Sequence, residues 1–407
     1  MSPRTVFGPY TRLFAVPGAL AFSFVGWLAR LPMPMVGLGA VLLVAGKTGS
    51  YGLAGAVAGS LALAGSLVSP QWARAMDRRG QGVVLRSAMA GYLVSGVGFA
   101  VVVETGAPRW SWFLLAAATG ACGPNIGSLV RARWAHALDA GPRQTAFAFE
   151  SVVDEVVFVV GPPLVTLLAT LIDPLAGFLT GIGIAVGGGF WLATLRATEP
   201  PPHPHEQGAP SRRFAALGPA VLAVATAYLA VGAVFGAMDV VVVAFAQAEG
   251  APALAGVALA CYAGGSLVAG LIYGLARLPG SLATRYVACA VLFGLAAQLL
   301  RLVDSLALLP PLAFVAGLAI APVLVSGLSL VEARVPRSAL TEALSWTTTG
   351  LTLGVTAGSA LAGVVVDAAG AQRSFAFPAS AAALAAVLAL AGVPFLRRSQ
   401  AGTEDAG

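Results

Sequence analysis

Glu150, Asp154 and Glu155 stand in an otherwise apolar run, FAFESVVDEVVFVVGPP, at a spacing that lets acids act on one another. Residues four apart share a helix face, so Glu150 and Asp154 lie together and Glu155 sits about 100° round the axis. Two carboxylates this close in a low dielectric do not both ionise without a cation nearby, so one is expected to hold and exchange a proton. All three are therefore candidates for proton coupling. The nearest cations along the chain are Arg131 and Arg133, and the competing reading is a static ion pair with one of them. Arg30 and Asp239 also fall within long apolar runs. A charge at the centre of a bilayer costs about 2.5–3.5 kcal/mol, so such residues face a partner or a water-filled path.

The elements that must position these residues are membrane helices. Of 407 residues, 58% are hydrophobic and 10% are charged, against about 25% charged in a soluble domain. Twelve stretches are long and apolar enough to span a bilayer: 13–46, 50–69, 83–103, 109–130, 145–170, 174–195, 214–247, 252–275, 281–303, 306–331, 340–366 and 374–395. The first is longer than a signal-peptide core, so it is expected to stay as an uncleaved helix. A proline-rich segment, ATEPPPHPHEQGAPSRR, reads as an extended linker over 197–213. It divides the chain into six-helix halves, 1–196 and 214–407.

Charge sets the expected orientation. With the N-terminus cytoplasmic, eighteen of the 23 Lys and Arg residues fall on the cytoplasmic side, four on the other, and Arg30 within a span. This asymmetry predicts twelve spans with both termini in the cytoplasm. The halves also echo each other: TRLFAVPGALAF at 11–22 matches RRFAALGPAVLAV at 212–224, and 144–163 falls opposite 340–358. Such internal repeats are the plan of many secondary transporters.

The loop after the second stretch reads SPQWARAMDRRGQGVVLR. It resembles the cytoplasmic signature of the major facilitator superfamily, Gly-x-x-x-Asp-Arg-x-Gly-Arg. Asp77, Arg78 and Gly80 match, whereas Ala73 replaces the first Gly and Gln81 the final basic residue. The loop at 270–281 keeps Gly270 and Gly274 without the acid. The resemblance implies an all-α membrane protein of two pseudo-symmetric six-helix bundles that rock about a central cavity. Helices 1, 4, 7 and 10 would line that cavity, and Asp77, Arg78 and Gly80 would form part of a cytoplasmic gate. Physically, Asp77 can cap a helix N-terminus and pair with Arg78 or Arg131.

Further residues follow from this plan. Trp27, Asn125, Tyr228, Asp239 and Ser326 are candidate substrate contacts, with Phe24 as aromatic company. The first and seventh stretches are too long for straight spans, and breaks are expected at Leu31-Pro32-Met33-Pro34 and at 232–236. Arg30 and Asp239 adjoin them, and either meet across the outer mouth of the cavity as a gate or pair each within its own bundle. Gly161-Pro162-Pro163 predicts a kink, and Gly161 and Pro162 match the Gly-Pro signature of the family's antiporters. Gly350, Gly354 and Gly358 with Gly55 and Gly59 predict close packing of helices 2 and 11.

Several classes are set aside. Gly46-Lys47-Thr48 lacks the first glycine of a phosphate loop. His203-Pro204-His205 reads as linker rather than a metal site, and the three cysteines have no disulfide or metal spacing. No enzyme, cofactor, metal or nucleic-acid partner is expected. The reading is a monomeric secondary transporter of the cytoplasmic membrane that exchanges a small molecule for protons, most simply as an exporter. The alternatives are a proton-coupled uptake symporter and a transport-inactive sensor or assembly protein on the same fold.

Overall fold

In hydrocarbon a backbone can satisfy its polar groups only within itself, so long apolar stretches become helices. The computed structural model describes residues 13–202, 218–275, 279–335 and 340–397. It contains twelve helices long and apolar enough to cross a membrane. We number them α1 (Ala19–Thr48), α2 (Tyr51–Arg79), α3 (Gln81–Glu104), α4 (Arg109–Ala137), α5 (Ala140–Leu171), α6 (Pro174–Thr194), α7 (Pro219–Ala248), α8 (Leu254–Leu275), α9 (Leu282–Leu302), α10 (Leu309–Arg334), α11 (Leu340–Ala369) and α12 (Arg373–Ala391). The linker histidines His203 and His205, and the loop or terminal residues Arg4, Arg12, Arg212, Arg213, Arg277, Arg337 and Arg398, lie outside the described residues.

The helices gather into two compact units, Met1–Leu43 with Ser60–Gln207, and Val44–Gly59 with Gly208–Gly407. The division differs from the sequence boundary in one respect: the end of α1 and the start of α2 pack with the second unit. In the first unit α1 rests on α4, α5 and α6, and α3 rests on α4 and α6. In the second, α7 is the central element and packs most extensively on α11, then on α12.

Three spans are interrupted. α1 breaks at Leu31, between Ala19–Arg30 and Pro32–Thr48, where Pro32 and Pro34 supply no backbone donors. α4 breaks between Arg109–Cys122 and Ile126–Ala137, at Gly123-Pro124-Asn125. α10 breaks between Leu309–Gly317 and Ile320–Arg334. The expected break at 232–236 does not occur, and α7 runs unbroken from Pro219 to Ala248. Its glycines serve packing instead. A side chain at Gly232 would strike the backbone at Leu351, and one at Gly236 the backbone at Val355. From the other side, Gly350, Gly354 and Gly358 of α11 lie against Ala225, Leu229 and Ala233 of α7. That series therefore serves α7 rather than α2. Gly55 and Gly59 of α2 do meet α11, but at Ser359 and Thr356.

α5 passes through Pro162 and Pro163 without interruption. The Thr166 hydroxyl donates to the carbonyl of Pro162 at 2.8 Å. Gly161 is where α5 meets the break in α1. A Cβ there would press on Pro34, on the Leu31 carbonyl at 3.3 Å and on Met35 at 3.4 Å. Cys122, Cys261 and Cys289 are free thiols.

Candidate functional site

Arg30 ends the first segment of α1, and its Nε donates to the carbonyl of Gly26 at 3.0 Å. This ties the guanidinium to its own helix and turns its two remaining nitrogens toward α5. One donates to Glu150 at 2.5 Å and the other to Asp154 at 2.7 Å. The two acids can share one guanidinium because they sit one helical turn apart. The second oxygen of Asp154 accepts from Arg131 of α4 at 2.7 Å. The second oxygen of Glu150 accepts from the indole N–H of Trp134, also of α4, at 2.8 Å. Trp134 is fully buried and packs edge-on against Phe22, with ring centroids 4.8 Å apart.

The result is one continuous chain, Trp134–Glu150–Arg30–Asp154–Arg131, with two cations and two anions. Its ends differ. Arg30 and Glu150 are sealed, with side chains 4% and 0% exposed, while Asp154 and Arg131 are 35% and 32% exposed. Asp154 lies nine residues into the apolar span Thr145–Leu171, about 14 Å along a helix axis. Charged side chains within such a span face a partner or a water-filled path rather than hydrocarbon, and the partly exposed end of the network is where such a path would meet it. Gly127 makes room for it: a Cβ there would stand 3.2 Å from an Arg131 nitrogen and 3.6 Å from the Arg30 Cδ.

These contacts settle two expectations. Arg30 pairs within its own unit, with Gly26, Glu150 and Asp154, the alternative to a contact with Asp239. Arg131 is held by Asp154 rather than by Asp77. Asp77 and Arg78 are exposed on the last turn of α2. Gly80 has φ of +87° in the turn to α3, a left-handed conformation that glycine adopts without strain.

Arg133 does different work from its neighbour. It is fully buried and donates to the Gln81 side chain at 3.0 Å, the carbonyls of Leu195 and Leu192 at 2.8 and 3.1 Å, and the Thr198 hydroxyl at 3.0 Å. Glu199 accepts from the N–H of Gly82 at 2.9 Å, at the start of α3. Arg133 is thus a clasp between α3, α4 and the end of α6. Gln81, one of the two positions that depart from the signature, is one of its acceptors.

The remaining candidates are dispersed. The Asn125 side chain caps the second segment of α4, accepting from Ser128 N–H at 3.0 Å. Trp27 is half-buried beside Phe24, and its indole N–H has no partner among the described residues. Tyr228 of α7 is buried against α10 and donates to the Leu324 carbonyl at 2.5 Å. Ser326 donates to the Pro322 carbonyl within its own helix at 2.6 Å. Both hydroxyls are spent on backbone carbonyls. Asp239 is half-buried on α7, and no basic side chain among the described residues pairs with it. Its polar neighbour is Tyr262, whose buried hydroxyl also lacks a partner there.

A second polar cluster, unforeseen from sequence, closes one end of the second unit. Asp367 of α11 accepts from Ser50 Oγ at 3.0 Å and from the N–H groups of Tyr51 and Gly52, both at 2.9 Å. It caps the N-terminus of α2 from 315 residues away. Tyr51 in turn donates to the Gln247 side chain at 2.6 Å. These groups line a cleft of about 460 Å³.

At the level of sequence, no family model and no curated protein matches the chain. The fold does have counterparts among solved structures. A mutant form of the nucleoside transporter NupG aligns with a TM-score of 0.74 at 16% identity, over 92% of this chain and 99% of that one. A peptide transporter POT in complex with sulfate aligns at 0.71 and 12% identity, over 94% and 95%. The human organic anion transporter MFSD10 (TETRAN) aligns at 0.63 and 16% identity, over 93% and 99%. The chain has the fold of these transporters, the twelve-helix major facilitator fold.

Proposed function

We propose that the protein is a secondary active transporter that moves a small molecule across the cytoplasmic membrane, coupled to protons through the acids of α5. The observation that carries this reading is the network itself, set in a transporter fold. It holds two carboxylates and two guanidiniums within apolar spans, sealed at Arg30–Glu150 and partly exposed at Asp154–Arg131. A purely structural ion pair gains nothing from an open end. Burying charges costs several kcal/mol per ion, and apolar replacements of such pairs are often neutral or stabilising.

Within the network the roles divide. Glu150 has both oxygens bonded in a sealed pocket and serves as the fixed counter-charge of Arg30. Asp154, shared between two guanidiniums and reached by water, is the member that exchanges its proton. Asp239, unpaired among the described residues, is proposed as a gating and substrate-binding residue. Asp77, Arg78 and Gly80 keep their proposed place in a cytoplasmic gate.

Direction depends on how substrate and proton use the network. If they compete for it, the protein is an antiporter and exporter, as the likeness of Gly161 and Pro162 to the antiporter signature implies. If they occupy it together, it is a symporter and takes its substrate up. The experiment is accumulation and growth inhibition across a panel of toxic compounds in an efflux-deficient host. The strains are wild type, Asp154→Asn and empty vector, with membrane expression verified. Lower accumulation in wild type alone supports export, and higher accumulation in wild type alone supports uptake. Identical behaviour of wild type and Asp154→Asn, both different from vector, removes Asp154 from the coupling role.

A further inference from the structure

We propose that the open end of the network, Arg131 and Arg30 around Asp154, is a binding site for a single anionic group, a carboxylate or sulfonate on a largely apolar molecule, and that this anion binds together with one proton taken up by Asp154. The proposal rests on the transport reading above and gives it a substrate class.

The argument is one of charge balance. As it stands the network holds two cations and two anions. A proton arriving at Asp154 alone would leave the Arg131 guanidinium without its counter-charge. An anion arriving alone would place three negative charges about two guanidiniums. Each event is unfavourable at membrane depth, and together they restore neutrality. Proton and anion therefore raise each other's affinity, and by linkage the two effects are equal.

Geometry assigns the exchangeable position. Glu150 cannot yield its place, since it is fully buried with Arg30 on one oxygen and Trp134 on the other. Asp154 and Arg131 are each about a third exposed, so an incoming oxyanion reaches them without opening the core. Arg131 offers the planar fork that suits a carboxylate or sulfonate. Two buried polar groups on the same face of α1 as Arg30 lack partners among the described residues: the Ser23 hydroxyl, on a side chain 5% exposed, and the Trp27 indole N–H. Spacings of four and three residues align Ser23, Trp27 and Arg30 along α1. Phe24, half exposed and with its ring centroid 5.9 Å from that of Trp27, supplies apolar surface beside these groups, hence an apolar body for the ligand.

The charged and titratable groups around Asp154 are few. α1 contributes Arg30 in its first segment and Lys47 near its far end. α4 contributes Arg131, Arg133 and His136 along its second segment, and Arg133 is committed to the clasp. α5 itself carries Glu150 and Glu155, with Arg143 near its start, and α6 carries no charged residue. The proposal places the proton on Asp154, and the Asp154→Asn variant separates this from uptake at Glu150, Glu155 or His136.

The test uses the purified full chain in detergent and a panel of matched carboxylates and carboxamides of rising apolar size, from acetate and acetamide to naphthoate and naphthamide. Benzenesulfonate serves as a permanently charged member. Ligand-induced thermal stabilisation gives affinity, and a pH indicator in weak buffer gives protons taken up. The expectation is that at least one anion binds about tenfold or more tightly than its amide, with uptake of about one proton and affinity falling up to about tenfold per pH unit as pH rises. Asp154→Asn should still bind the anion, with no proton uptake and no pH dependence. Arg131→Gln should lose binding at least about tenfold, and Arg131→Lys should fall between. Thermal unfolding without ligand reports whether each variant is folded. If no anion in the panel outbinds its amide, or if Asp154→Asn still takes up a proton on binding, the proposal is wrong. Anion binding by a protein that transports nothing in liposomes would remove the transport reading and leave the site. Transport of neutral compounds without anion binding would do the reverse.

Discussion

Asp154 and Asp239 are both acids at membrane depth, one in each unit, and their surroundings could hardly differ more. Asp154 is held by two guanidiniums at 2.7 Å each. Asp239 has no basic partner among the described residues, and the Tyr262 hydroxyl lies within reach of its charge. The contrast separates two ways of keeping a carboxylate inside a membrane protein. In the first unit the charge is balanced, so a change at one member is felt by all. In the second, removing the charge breaks no ion pair among the described residues. Sensitivity to mutation should therefore divide between the units even where the residue type is the same.

The largest effect should come from breaking the sealed arm. Arg30→Met leaves Glu150 buried without its cation, and a loss of about 3–5 kcal/mol of stability is expected, read as a fall in thermal unfolding temperature in detergent. The double variant Arg30→Met with Glu150→Leu should regain most of it, since no uncompensated charge then remains. Next is Trp134→Phe. It keeps the ring packing against Phe22 but strips one hydrogen bond from buried Glu150, for an expected loss of about 1–3 kcal/mol. Transport should persist if the network is otherwise intact, and a loss of transport without a loss of stability would assign Trp134 a more direct role. The smallest effect is expected in the other unit, where Asp239→Asn should leave stability within about 0.5 kcal/mol of wild type. If Asp239→Asn destabilises as strongly as Arg30→Met, Asp239 has a partner of equal weight and the contrast between the units collapses.

A second comparison, between Arg131 and Arg133, sharpens the first. The two stand on one helix, two residues apart, and face different partners. Arg133→Ala should cost about 3 kcal/mol or more, because the desolvated acceptors at Gln81, Leu192, Leu195 and Thr198 lose their donor. It should not alter the pH dependence of transport, whereas Arg131→Gln should.

How much of this could be read in the sequence divides by length scale. The number and type of helices were legible because apolar runs in lipid have one solution. The pairing of Glu150 with Asp154 was legible because helical spacing is local. Arg131 was named as a nearby cation, and the structure places it on Asp154. The choice of Arg30 as the central cation was not legible, because it depends on α1 crossing α5 at Arg30, which no spacing encodes. The break at Leu31 followed from its prolines. The one expected at Gly232 and Gly236 did not occur, because small residues serve close packing as readily as bending. The break in α4 was overlooked although Gly123-Pro124-Asn125 is a turn signal. The Asp367 cap on α2 left no local trace.

The central claim is that a proton moves through the α5 network together with the substrate. The most direct measurement is acidification of proteoliposomes by an entrapped pH dye, after external addition of the anion that stabilises the wild type most. It is run for wild type, Asp154→Asn and protein-free liposomes. The account predicts acidification in wild type above the protein-free level and none in Asp154→Asn, although the variant still exchanges labelled for unlabelled anion. Equal acidification by wild type and variant, or exchange in wild type without any proton movement, would contradict it.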